Sequence, residues 1–456
     1  MEEQAVNPIK ADNLQRNGAD RSPGGDSGKV EHVGVVQRGV FKKGQVVHWA
    51  KKGSLAVLDQ ALFAGTNFLV SILLARWLEP AAYGAFSVAY SIFLLLGTLH
   101  TALWTEPMMV YGSGRFRDTF ASYQQVLIGY HWRFGIVLAL GFLLAATGFG
   151  AAGQREMALS FLGLAFAAPT VLYLWLVRRG AYVLLEPRLA AYGGASYLVL
   201  YLGLALLLLR ASFLNEATAF LAMALAALLA AEGIRLLLKA GADRAVDPGE
   251  IRELHWGYGR WALLAGMLSW VPGNFYLLVL PIFSDFRAAG EYKVLSTLIM
   301  PVVYFNSSMM QFFLPMLSSR MANKRRTEVL FLFRIQLLLQ TLWGAMWGLF
   351  LCLLGNQLIA TLTGAKYAYD ARVFSMLLAS SIALGPVTAF SSLLRAANLP
   401  NLLSLGWLVS ALATVIAGVM LVPRWGLEGA ISGSVVVNLL NSVFLAFLSK
   451  RGIKWW

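Results

Sequence analysis

The chain contains almost no cysteine and unusually little charge. Its 456 residues include one cysteine, Cys352, so an internal disulfide is impossible and a thiolate metal cluster is not indicated. Charged residues make up only 13% of the chain, far below the usual level of a soluble domain. No P-loop, HExxH or GxSxG motif occurs, and the five histidines are scattered along the sequence. The common classes of soluble enzyme are therefore not indicated.

Hydrophobic residues instead make up 58% of the sequence. Apolar stretches of about 20 residues, the length that a helix needs to cross roughly 30 Å of hydrocarbon, recur along almost the whole chain. We predict twelve spans, at 55–77, 86–111, 124–147, 157–177, 190–209, 214–238, 261–284, 294–317, 329–354, 373–394, 401–422 and 427–449. The short alternating segments of a β-barrel are missing, so the predicted fold is an all-α integral membrane protein.

The basic residues predict the orientation of these spans, because lysine and arginine favour the cytoplasmic ends of membrane helices. Most of the 37 Lys and Arg fall in cytoplasmic segments if the N-terminus is inside, and the remaining eight, including Arg76 and Lys293, would be outside. Both termini are therefore expected in the cytoplasm. The net charge of +14 reflects this topology and an anionic membrane surface, and it requires no nucleic-acid partner.

The same pattern divides the chain into five segments. We predict a disordered basic cytoplasmic tail at 1–50, a six-helix bundle at 51–240, a cytoplasmic linker at 241–257, a second six-helix bundle at 258–450 and a cytoplasmic C-terminus at 451–456.

A weak internal repeat relates the two bundles. A shift of 207 positions superimposes three dipeptides, namely His48-Trp49 on His255-Trp256, Asn67-Phe68 on Asn274-Phe275, and Ala81-Ala82 on Ala288-Ala289. Because six spans is an even number, both halves enter the membrane in the same direction, and a pseudo-twofold axis would lie along the membrane normal. Secondary transporters of this plan hold substrate between two bundles, so we predict alternating access as the mechanism.

Polar residues inside the spans are the candidate site. Asn67 and Asn274 occupy equivalent positions near the middle of spans one and seven, and Gln60 shares a helix face with Asn67. Such asparagines either line a cavity or only bond a neighbouring helix, and both interpretations stay open. Asp59 and Glu106 are the acids best placed to couple transport to an ion, although Asp59 also fits a helix start near the headgroups.

Three arginines form a second group of candidates. Arg133 and Arg334 lie inside the predicted cytoplasmic boundary on equivalent helices, and Arg260 lies at the inner mouth of span seven. Two guanidinium groups from opposite halves could clamp a diphosphate, because each offers paired donors and stays charged. Snorkelling to the headgroups is the alternative.

Three segments carry a family resemblance. The stretch DQALFAGTNFLVSILLARWLEPAAYGAFSVAYS (59–91), with its core at Ala75, Arg76, Leu78, Tyr83 and Gly84, resembles the first two spans of bacterial oligosaccharide and O-antigen flippases. These belong to the multidrug, oligosaccharidyl-lipid and polysaccharide exporter (MOP) superfamily. LLRAANLPNLLS (393–404) and PRWGLEGAISGSVVV (423–437) are similar to later segments of that family. The second half departs from the pattern with Phe283 in the place of Arg76.

The resemblance implies a V-shaped pair of six-helix bundles in the bacterial inner membrane. Such a protein moves an undecaprenyl-diphosphate-linked oligosaccharide to the outer leaflet for exopolysaccharide or O-antigen synthesis. It would hold the diphosphate and the sugar with two sets of residues, Arg133, Arg334 and Arg260 for the first, and Gln60, Asn67 and Asn274 for the second.

We expect a transporter with no enzymatic activity, no metal and no cofactor other than a coupling gradient of H⁺ or Na⁺, with Asp59 and Glu106 as the coupling candidates. The expected partners are the lipid-linked oligosaccharide, membrane lipids, and a glycan polymerase or export machinery. A monomer is expected, because one chain supplies both halves of the cavity.

Two other functions remain open at this point. A cation-coupled drug or metabolite antiporter of the same superfamily would have more buried acids and fewer cavity arginines. A membrane glycan polymerase or ligase-type enzyme would carry a large outer loop, whereas the longest predicted outer loop, about 355–372, is short.

Overall fold

The computed structural model describes residue 62 and residues 65–238 and 245–453. All regular structure in these ranges is helical, and ten helical segments are long and apolar enough to cross a membrane. The predicted all-α, multi-pass membrane fold is therefore confirmed. The predicted tail, together with Asp59 and Gln60, lies outside the described residues.

The described part of the first half contains seven α-helices. Helix α1 covers 65–77 in the described range. It is followed by α2 (Pro80–His100), α3 (Glu106–Gly112), α4 (Phe120–Ala151), α5 (Arg155–Val183), α6 (Pro187–Arg210) and α7 (Glu216–Leu238). A π-helical turn, Thr101–Thr105, joins α2 to α3, so the two helices make one span of 33 residues.

Residues 245–453 form five long helices: α8 (Pro248–Phe283), α9 (Phe286–Ala322), α10 (Arg326–Thr363), α11 (Ala371–Ala396) and α12 (Pro400–Gly452). Helix α8 begins inside the segment predicted as a linker. The local reason is a strong start signal, because the Asp247 carboxylate accepts from the Gly249 and Glu250 amides and Pro248 takes the first helical position.

Helix α12 has 53 residues, about 80 Å of helix, which is too long for a single crossing. It contains both of the last two predicted spans, 401–422 and 427–449. Gly426 separates them, since its φ of +51° and ψ of −125° lie outside helical geometry. The kink is thus the boundary between two crossings that the sequence predicts.

Substitution of Gly426 by alanine is expected to lower the free energy of unfolding by about 1–3 kcal/mol, because a side chain disfavours this backbone conformation. A Cβ at this position would also lie 3.3 Å from Ser284 Oγ. The measurement is the midpoint of thermal unfolding in detergent. Gly203→Ala is the matched control, because its Cβ would meet no atom within 4 Å. Equal midpoints for the two variants would contradict the expectation.

The helix breaks repeat along the chain. The break between α1 and α2 recurs 206 positions later between α8 and α9, and Pro80 and Gly84 then correspond to Phe286 and Gly290. These four residues meet where α2 crosses α9. A Cβ at Gly84 would overlap the Phe286 carbonyl, and a Cβ at Gly290 would lie 2.7 Å from Pro80 O. The contact is reciprocal, which is the pattern that a twofold-related pair of surfaces produces.

Candidate functional site

A small cavity of about 90 Å³ lies between the two halves. Helices α1, α2, α6 and α7 of the first half and α9 of the second half form its walls. Its polar wall residues are Asn67, Ser71, Ser87, Tyr90, Tyr201, Lys293, Thr297 and Tyr304. A membrane protein that buries so many polar side chains in one place uses them for function as a rule.

Hydrogen bonds fix part of this wall. The Tyr90 hydroxyl donates to Asn67 Oδ1 at 3.4 Å, while Ser71 Oγ lies 2.7 Å from the Tyr83 hydroxyl and 3.5 Å from Thr297 Oγ1. Asn67 therefore both bonds a neighbouring helix and lines the cavity. Within the described ranges, the buried Tyr201 hydroxyl has no hydrogen-bond partner. Asn274 lies elsewhere on α8, where its amide donates to Trp270 O at 3.1 Å.

Lys293 is the cation among the described wall residues of the small cavity, whereas the sequence predicts it in an outer segment. The structure places it two turns inside α9, half-buried, with its side chain lining the cavity. No carboxylate pairs with its ammonium group in the described part of the chain, and the nearest acid along the helix, Glu291, instead pairs with Arg287 at 3.1 Å. The cavity thus holds an uncompensated positive charge among hydroxyl and amide groups.

A large cavity of about 630 Å³ lies toward the predicted cytoplasmic side. Glu106, at the start of α3, faces into it from the first half, and α8, the end of α11 and the start of α12 form the rest of the wall. Arg395, in the last turn of α11, and Asn398, in the turn that follows, line the same cavity. The predicted coupling acid and a basic residue therefore share one cavity.

The predicted outer side is closed by bonds between the halves. Arg76 Nη1 donates to Thr361 O at 3.0 Å, and Lys366 Nζ donates to Leu78 O at 2.8 Å and lies 3.8 Å from Glu79 Oε1. Together with the crossing of α2 and α9, these bonds join the two halves beyond the small cavity. Arg76, a residue of the family resemblance, is therefore a closing residue in this conformation.

Toward the other side, a carbonyl group that Pro107 leaves without a helical partner forms a second connection between the halves. Pro107 has no N–H, so the Leu103 carbonyl four residues earlier cannot form the usual helical bond. His255 Nδ1 of α8 donates to Leu103 O at 2.7 Å, and the Tyr123 hydroxyl therefore donates to His255 Nε2, at 2.6 Å. The π-helical turn beside Pro107 is thus bonded to α8.

The three predicted arginines are exposed on three different helices. Arg133 is exposed on α4 with Cζ 6.0 Å from the centre of the Tyr130 ring, and Arg260 is exposed on α8 with Cζ 5.5 Å from the Trp261 ring. Arg334 is exposed on α10. Helix α4 packs mainly on α5 and α10 mainly on α11, and the described residues show no direct contact between Arg133 and Arg334. A clamp formed by both arginines stays a prediction.

His100 and His131 form a buried pair, although the histidines are scattered along the sequence. His131 Nε2 lies 3.0 Å from Pro169 O and must donate to it, so His131 Nδ1 accepts from His100 Nε2 at 3.1 Å. No sequence signal links these residues, since one lies at the end of α2 and the other on α4. No group of three or more His, Cys, Asp or Glu able to hold a metal occurs in the ranges that the structure covers.

The sequence matches no protein-family model and no curated protein. Solved structures do match. An inward-facing multidrug-resistance MATE transporter of the MOP superfamily is 13% identical, with 88% of this chain and 98% of that chain covered and a TM-score of 0.72. The lipid II flippase MurJ in an inward closed conformation is 10% identical, with 88% and 87% covered and a TM-score of 0.65. An outward-facing MATE transporter is 12% identical, with 89% and 95% covered and a TM-score of 0.57.

At sequence identities this low, the matches show the fold of the chain and do not show its substrate. The chain has the fold of a MOP-superfamily transporter, a class that includes both drug transporters and a lipid flippase among the structures matched. A MOP transporter from Pyrococcus furiosus, 13% identical over 89% of this chain and 95% of that chain, also matches at a TM-score of 0.58.

Proposed function

We propose that this protein is a membrane transporter, and specifically a flippase that moves an oligosaccharide linked to undecaprenyl diphosphate from the cytoplasmic to the outer leaflet by alternating access. The fold supports transport, because its neighbours are transporters. The motifs at 59–91, 393–404 and 423–437 favour the glycan-lipid branch of the superfamily.

The observation that carries this proposal is Lys293. A lysine without an acid partner in a polar cavity between the halves attracts an anion and repels a cation. Among the described wall residues of that cavity there is no Asp or Glu that would bind a cationic drug. A diphosphate-linked substrate matches the charge of this cavity, and the hydroxyl and amide groups around it match a sugar.

The transport step follows from the same residues. A glycan loses several kcal/mol for each unpaired polar group that enters hydrocarbon, so unaided flipping is negligibly slow. Asn67, Tyr90, Tyr201 and Thr297 offer hydrogen bonds that replace water, and Lys293 offsets the phosphate charge. The small cavity is far too small for a whole glycan headgroup, so the halves must separate around it. The arginines Arg133, Arg334 and Arg260 stay proposed phosphate contacts along the path, with H⁺ or Na⁺ coupling through Glu106 or Asp59.

A second candidate, a cation-coupled drug antiporter, is favoured by one observation. Glu106 lines the large cavity, and a carboxylate there could bind a cation or carry a proton. Arg395 lines the same cavity and reduces that attraction. We therefore place the antiporter second.

The test is mass spectrometry of lipids from cells that lack this protein. The proposal predicts that an undecaprenyl-diphosphate oligosaccharide accumulates and that the wild-type gene clears it. If no such lipid accumulates while the cells still export the glycan, the flippase proposal is wrong and the antiporter becomes the first candidate. Expression of the rescuing protein is checked by immunoblot so that a failed rescue is interpretable.

A further inference from the structure

A third cavity, of about 270 Å³, lies between α4 and α8 next to the π-helical turn. We call it the seam groove; its walls include Leu103, Trp104, Tyr130, Arg133, Arg252 and Trp256. The wall is mostly apolar and aromatic, its polar His255 and Tyr130 groups are hydrogen-bonded, and its two guanidinium groups are exposed. Because α4 belongs to the first half and α8 to the second, the groove lies at the junction of the halves.

The two arginines of the groove are electrostatically uncompensated. Neither guanidinium pairs with a carboxylate within the described ranges. The closest acids along α8 are Glu250, which pairs with Arg115, and Glu253, which is exposed and does not line the groove. Two positive charges in one groove repel each other, so an anion between them is favourable.

The groove is held in place by its own contacts. The Tyr130 hydroxyl donates to Pro248 O at 2.9 Å, which fixes the start of α8 against α4. The His255 bond to the Leu103 carbonyl fixes the same helix against the π-helical turn. Both contacts use groove residues, so the backbone segments that carry Arg133 and Arg252 are held close to each other.

The chemistry of the wall selects an amphiphile. Trp256 is 57% exposed, and together with Trp104 and Tyr130 it offers a surface for a hydrocarbon chain in the same groove as two arginines, a residue type whose guanidinium group suits phosphate. A free phosphate would use the arginines and leave this aromatic surface in contact with water or bulk lipid. A phosphate carried on a long lipid chain uses both.

We propose that the seam groove is the entry site of the transport substrate, where Arg133 and Arg252 bind the diphosphate of the lipid carrier and the aromatic wall holds the first part of its polyprenyl chain. The inference rests on the proposed flippase function and deepens it. In this proposal, the second arginine that binds the diphosphate together with Arg133 is Arg252 of the other half, in place of Arg334. Binding across the junction would favour the conformation in which α4 and α8 stay together.

The test measures binding of undecaprenyl diphosphate to the purified full-length protein in nanodiscs, by native mass spectrometry. Arg133→Ala/Arg252→Ala is expected to weaken binding at least about tenfold, because two charge-assisted contacts are lost. The lysine pair, Arg133→Lys/Arg252→Lys, keeps the charge and is expected to fall between the alanine pair and the wild type. Arg117→Ala/Arg326→Ala is the matched control, since it removes two exposed arginines elsewhere, and it should bind within about twofold of the wild type.

Two results would overturn the inference. One is unchanged lipid binding by the alanine pair, with a thermal unfolding midpoint equal to that of the wild type. The other is displacement of undecaprenyl diphosphate by an equal concentration of phosphatidylglycerol, which would make the groove a site for ordinary anionic lipid. Flipping by the wild type is assayed in parallel, so that absent flipping counts against the proposed function and unchanged binding counts only against the groove.

Discussion

Replacing Lys293 by methionine is expected to reduce flipping of the lipid-linked oligosaccharide by about tenfold or more, because a charge-assisted hydrogen bond in a poorly hydrated cavity contributes about 1.5–3 kcal/mol. Methionine keeps most of the apolar stem and removes only the charge. The measurement is the rate at which the labelled glycan lipid crosses the bilayer of reconstituted vesicles.

Two variants make this result specific. Lys293→Arg keeps a cation in the small cavity and is expected to retain most of the flipping rate. Lys450→Ala removes an exposed lysine near the end of α12 and is expected to leave the rate unchanged. Normal flipping by Lys293→Met would remove the observation on which the choice of an anionic substrate depends.

The second large effect is expected at the crossing of α2 and α9. A methyl group at Gly84 would overlap the Phe286 carbonyl, which is backbone and cannot rotate away. Gly84→Ala should therefore keep the halves from closing on the predicted outer side, and transport should fall at least about tenfold because one of the two required conformations is lost.

The single native cysteine makes this prediction measurable. In a Cys352→Ser background, Asn67→Cys places a thiol in the wall of the small cavity, and a membrane-impermeant maleimide added from outside reports its exposure. Gly84→Ala should raise the labelling rate several-fold over the background. Gly203→Ala, whose Cβ would meet no atom within 4 Å, should leave the labelling rate unchanged. Equal labelling in both variants would mean that the crossing does not close this side.

The sequence predicted the helical architecture well, because hydropathy alone requires it. It failed at Lys293, and the reason is local. The predicted span 294–317 begins after the charged residues Arg287, Glu291 and Lys293, since each lowers the apolar average. In the structure α9 begins at Phe286, because the Asp285 carboxylate accepts from the Ala288 amide at 2.7 Å and starts the helix early. Lys293 therefore belongs to the candidate site, although hydropathy predicts it in a loop.

Other site features depend on contacts that no single segment contains. Asn67 was identifiable, because an amide within an apolar span is unusual. The reciprocal packing of Gly84 and Gly290 depends on how two helices cross, and the match of His255 with the free Leu103 carbonyl joins residues from opposite halves. Arg252 was not chosen because exposed basic residues near a helix start are common, and only the groove distinguishes it.

The most direct test of the central claim is flipping by the purified protein. Vesicles containing the wild type and a fluorescent undecaprenyl-diphosphate oligosaccharide are treated with a membrane-impermeant quencher, and the protected fraction is followed with time. The account predicts that the wild type moves the lipid across the bilayer much faster than protein-free vesicles and that Lys293→Met does not. Wild-type vesicles that flip this lipid no faster than empty ones, while exchanging a cationic drug for protons or sodium ions, would contradict it.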